Sequence, residues 1–124
     1  MTMDEITWLP VTTILRETWC SCDFGAVSDY DDDTHFWQHL ISNKAADSGF
    51  GHLVDSILEH GFAESSAVGW YDGEITEGHH RLVAAILLGM DEVPTSPYGG
   101  SWYPNGRRLS AHYNDDHHAI DIDV

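Results

Sequence analysis

The chain has 124 residues, and 21 Asp and Glu against 5 Lys and Arg give it a formal charge of −16. That length allows one domain with one modest core, and a hydrophobic share of 42% is enough to build it. Five cations cannot supply the phosphate-neutralising footprint that duplex DNA requires, and an anionic membrane surface repels such a chain.

Residues 1–10 carry two acids and no Lys or Arg, which is wrong for a signal peptide, so a cytoplasmic protein is expected. Ile6 to Trp8 reads as a short strand ended by Pro10, and Val11 to Glu17 as one helical turn. Cys20 and Cys22 flank a single serine. A bridge across one residue is strained, and two thiolates alone do not complete a zinc site, so both are read as free thiols. Asp29, Asp31, Asp32 and Asp33 read as a solvated acidic loop. Asp33 or Thr34 is expected to cap a helix with Phe36, Trp37, Leu40 and Ile41 on one face.

The next helix has the clearest pattern. Phe50, Leu53, Val54, Ile57 and Leu58 recur at helical spacing, Asp47 or Ser48 precedes them, and Gly61 ends the run. Ala67 to Trp70 and Glu74 to Thr76 alternate as strands about a Tyr71-Asp72-Gly73 turn. A helix follows from His79 or His80 to Leu88, closed by Gly89, and Glu92 to Thr95 reads as a last strand. The longest apolar run, Leu82 to Leu88, is far too short to span a bilayer. Residues 96–124 read as a loop-rich, acidic C-terminal extension. Within it, Trp102 and Tyr103 beside Arg107 and Arg108 suit stacking on a base. His112, His117 and His118 with Asp115 or Asp116 are chemically admissible as metal ligands, although an acidic tail is the simpler reading. The whole is a single α+β (mixed α/β) domain with a short mixed sheet covered by helices.

The stretch that carries chemistry is Glu77-Gly78-His79-His80-Arg81, between the hairpin and the apolar helix. Gly78 allows close backbone approach or a positive φ. The helix behind it presents unpaired N–H groups and the positive end of its dipole. Arg81 adds a forked cation suited to phosphate oxygens, and His79 and His80 add imidazole donors. Glu77 supplies a carboxylate for a magnesium ion or for base catalysis. Against this, adjacent histidines point to different faces of a helix, and Arg81 has Glu77 and Glu74 as surface partners.

The wider order of motifs resembles a known family. Leu53-Val54-Asp55-Ser56-Ile57-Leu58-Glu59-His60-Gly61 is similar to the "LxxSIxxxG" helix of the ParB N-terminal domain. Glu77-Gly78-His79-His80-Arg81-Leu82-Val83-Ala84-Ala85 resembles that family's Gly-x-x-Arg box and the helix after it. Leu88-Gly89-Met90-Asp91-Glu92-Val93-Pro94-Thr95 resembles its "LGxxxVPV" ending, and Trp8-Leu9-Pro10-Val11 its opening strand. The likeness runs from about Leu9 to Thr95 and is least clear over Ser21 to Gly49.

The resemblance to the ParB/sulfiredoxin-like superfamily implies a small domain that binds nucleotide phosphates at the box. Gly78, His79, His80 and Arg81 would form the phosphate-binding group. CTP, ATP or ADP with Mg2+ would be the ligand, and nucleotide hydrolysis or phosphoryl transfer the reaction. In the superfamily's serine kinases an Asp precedes the box, where Glu77 stands here, and Glu17 is a loose match to their upstream catalytic Glu.

Two departures narrow this. The essential Cys of sulfiredoxins falls at His79, which argues against that activity. The 29 residues after Thr95 leave no room for the helix-turn-helix domain of a partition protein. A stand-alone domain of this kind is expected of a phage or mobile element. The alternative from a different class is an acidic DNA mimic or interaction inhibitor that binds a basic host protein without catalysis.

Overall fold

The computed structural model describes residues 6–97. The readings made for the late aromatic loop and the His/Asp tail lie outside the described residues. The chain forms β1 (Thr7–Pro10), α1 (Val11–Glu17), β2 (Cys20–Ser21) and β3 (Gly25–Ala26), then a 3-10 turn at Val27–Asp29. It continues through α2 (Asp33–Ala45), α3 (Phe50–His60) and a second 3-10 turn at Glu64–Ser66. It ends in β4 (Val68–Tyr71), β5 (Glu74–Glu77), α4 (His79–Leu88) and β6 (Glu92–Ser96). The described residues thus make an α+β fold, with one mixed sheet in the order β1-β6-β4-β5-β2-β3.

The antiparallel β4–β5 hairpin is central. Its turn residues Asp72 and Gly73 have φ of 54° and 84°, the consecutive positive values that a two-residue turn matching the strand twist requires. β6 lies parallel to β4 and β2 parallel to β5, while β1 and β3 close the edges antiparallel to β6 and β2. The hairpin register slips between Gly69 and Trp70. Gly69 faces Glu77 and Trp70 faces Ile75, which leaves Thr76 as the extra residue of a bulge just before the box.

The core forms where α4 packs on β4 and against α2 and α3. Leu82, Val83, Ala84 and Ala85 are all buried, so the middle of α4 is apolar on every side. Full burial of a Leu or Val is worth about 1.5–3 kcal/mol. Phe36 and Leu40 from α2, Ile14 from α1, Val68 from β4, Ile75 from β5 and Val93 from β6 complete this core.

Three details differ from the sequence reading. α1 has seven residues, two turns and not one. α2 is capped by Asp32, whose carboxylate accepts from the His35 N–H at 2.9 Å. Leu58 is 70% exposed, because α3 buries Leu53 and Ile57 and its helical face turns away from the core at the next position. No helix among the described residues is long and apolar enough to cross a membrane.

Candidate functional site

The bulge at Thr76 re-aims the chain as β5 ends, and Gly78 then adopts φ 82° and ψ 26° as the N-cap of α4. A left-handed residue is needed here to turn a strand directly into a helix, and glycine takes it without strain. Space makes the same demand. A Cβ at Gly78 would lie 3.1 Å from Arg81 Nη2 and 3.2 Å from Val68 Cα. The Arg81 guanidinium therefore lies along the Gly78 backbone, beside β4. Gly78 gives α4 no side-chain cap, so the N–H groups of its first turn point past the glycine. Glu77 Oε2 and Arg81 Nε and Nη2 are all buried at this place.

The rings of the two histidines are engaged elsewhere. His79, only 5% exposed, reaches β2, with Nε2 2.7 Å from Ser21 Oγ. Ser21 Oγ already accepts from the N–H groups of Asp23 (3.1 Å) and Phe24 (3.2 Å). Its own hydrogen is left to donate, so Nε2 is the acceptor and the proton of the neutral ring sits on Nδ1. Nδ1 faces Asp23 Oδ2 at 3.9 Å, too far for a hydrogen bond. Burial pushes the His79 pKa down to about 4, with the Lys44 charge acting in the same direction and Asp23 against it. His80 Nε2 meets Asp47 Oδ2 at 2.5 Å. Burial also holds the His80 pKa below its ordinary value, against the pull of Asp47.

Lys44, the single lysine of the chain, joins this cluster from the last turn of α2. Its Nζ is 3.2 Å from Asp23 Oδ2 and 5.3 Å from the centre of the Phe24 ring. Its charge and that of Arg81 are both felt at His79 and at His80. Two cations thus converge on the head of α4.

Glu17 does not join them. It ends α1 beside the hairpin turn, where its carbonyl would be 2.8 Å from a Cβ at Gly73, and its carboxylate pairs with Arg16 at 3.4 Å. Glu77 stands at the other end of β5, about 10 Å along the strand. Both cysteines are free. Burial first, then the carboxylates of Asp23, Glu74 and Glu77, raise the Cys22 thiol to about 11, so it stays protonated at neutral pH. No group of three or more His, Cys, Asp or Glu among the described residues is placed to hold a metal ion.

The structure places Gly78 and Arg81 of the sequence motif side by side at the head of α4 and adds Ser21, Asp23, Asp47 and Lys44, which the sequence reading did not assign to the site. Asp47 had the look of a helix cap, and the other three carried no local signal. Chemically, the head of α4 offers backbone donors, a guanidinium and a nearby ammonium to an anion, with the Glu77 carboxylate at its edge. No family model matches the chain, and no curated protein or solved structure matches it either.

Proposed function

We propose that the chain binds a phosphate-bearing ligand of the nucleotide class at the head of α4, as a ParB/sulfiredoxin-like domain would. The observation that carries this reading is the convergence of Arg81 and Lys44 on an uncapped helix N-terminus, in a chain with only five cations. The first-turn N–H groups hold phosphate oxygens, and the positive charge of Arg81 behind them favours an anion. His79 and His80 act as positioning residues, tying the box to β2 through Ser21 and to the α2–α3 connection through Asp47. Mg2+ binds through one or two carboxylates plus substrate phosphates, and Glu77 fits the carboxylate part. There the ion would neutralise charge on the phosphates. The same carboxylate is a candidate base for a water or hydroxyl nucleophile.

The test is thermal melting of the whole chain with CTP, ATP, ADP or GTP, with and without Mg2+. A ligand that binds only the folded state at about 100 times its dissociation constant adds roughly 2.7 kcal/mol of stability. At least one nucleotide is expected to raise the melting temperature at millimolar concentration. Arg81→Gln, which keeps a planar polar head but loses the charge, should remove that rise. The absence of a shift with every nucleotide sinks the reading. Phosphate release from the same samples separates a binding domain from a hydrolase.

A further inference from the structure

At the other end of β5 the surface exposes aromatic side chains. Trp19 is 59% exposed and Tyr71 63% exposed, and both stand at the β4–β5 turn. The Trp19 indole is fixed although it faces solvent. Its Nε1 donates to the Asp72 carbonyl at 2.9 Å, and its backbone N–H donates to the Gly73 carbonyl at 2.8 Å. The ring edge lies against Gly73, where a Cβ would come within 2.5 Å of Cδ1. Ordering a large side chain on binding costs roughly 0.5–1.5 kcal/mol, and here the fold has already ordered it. Tryptophan and tyrosine are the residue types that dominate binding energy at protein interfaces.

The charge around the two rings is mainly acidic, with Arg16 paired to Glu17 as the one nearby cation among the described residues. Asp72 and Glu74 belong to the hairpin, and the half-exposed Glu17 lies beside it. No Lys or Arg occurs in residues 17–29 or 64–77, the segments that build this end of the sheet. Aromatic faces bordered by carboxylates match a guanidinium or ammonium, which stacks on the ring while its N–H groups reach an acid. A second copy of the chain is a poor occupant, since it brings another −16 to the contact.

We propose that the end of the sheet at the hairpin turn, where Trp19 and Tyr71 are exposed, is a docking surface for an arginine- or lysine-rich segment of a partner protein. The reading does not depend on the anion site at the head of α4.

The experiment is titration of the full chain with an oligo-arginine peptide near physiological salt, followed by calorimetry and by the indole N–H signals in NMR spectra. Oligo-glutamate is the comparator. Oligo-arginine should bind, shift the Trp19 indole signal, and lose about fivefold or more in affinity in Trp19→Leu and in Tyr71→Ala. These substitutions leave the net charge unchanged, and Tyr71→Ala covers the case in which Trp19→Leu disturbs the turn. Neutralising distant acids by Asp31→Asn with Asp33→Asn should change affinity less than about twofold, as should Arg81→Gln. Three results overturn the proposal: no binding, unchanged affinity in Tyr71→Ala, or an equal loss on neutralising Asp31 and Asp33, which would mark diffuse attraction to an acidic chain.

Discussion

His79 shows how one residue ties the candidate site to folding. Its ring is buried, accepts from Ser21 Oγ, and holds its proton on the side of Asp23. Its pKa is about 4 in the folded chain and near 6.5 when unfolded. Between those values the unfolded chain binds a proton that the folded chain does not. The stability due to this neutral ring is therefore complete above pH 6.5 and is lost as the pH falls toward 4. The slope is at most about 1.4 kcal/mol per pH unit. His79→Gln does not titrate and keeps an acceptor for Ser21. Thermal melts from pH 6.5 to 4.5 should therefore fall more steeply for the natural chain than for this variant. Equal slopes would mean that His79 titrates normally and that its burial is not what the geometry shows.

At the level of elements, what the sequence revealed depended on length and period. α3 and α4 were legible because each runs for ten or more residues between glycines, long enough for the helical repeat to show. The hairpin was legible from its Asp-Gly turn. β2 and β3 were not, since two-residue strands are too short to alternate and exist only because Cys20 and Ser21 pair with Glu74 and Ile75. The acidic run is solvent-exposed as read, yet it also has a local structural role. Asp29 and Asp32 accept backbone N–H groups of Ala26 and His35 and so shape the entry to α2, which composition alone does not reveal. The box divides in the same way: Gly78 and Arg81 are three residues apart, while the partners of His79 and His80 are 58 and 33 residues away. Two glycines test the element scale with opposite signs. Gly73→Ala should lose at least about 1–2 kcal/mol from its left-handed backbone alone. The added methyl would also press on Trp19 Cδ1 and the Glu17 carbonyl. Gly51→Ala, in α3 with open space around it, should gain about 0.5 kcal/mol. Urea or thermal unfolding of the two variants reads both signs. A neutral Gly73→Ala would show that the indole does not sit on the turn.

For the whole molecule, the formal −16 works against compactness and organises the surface. Lys44 pairs with Asp23 and Arg16 with Glu17, but five cations in all cannot offset the 21 acids of the chain. The exposed Arg16–Glu17 pair contributes little. Self-repulsion therefore outweighs surface attraction. The two proposed ligands lie at opposite ends of β5 and differ in charge as well as in place, an anion at the head of α4 and a cation at the hairpin turn. Salt distinguishes these forces. Raising ionic strength from about 0.01 M to 1 M shortens the screening length from roughly 30 Å to 3 Å. The melting temperature of the free chain should rise over that range as repulsion is screened, while oligo-arginine affinity falls. Folding and docking thus answer the same titration with opposite signs. A melting temperature that drops with salt would mean that ion pairs, and not apolar packing around α4, dominate the stability of this fold.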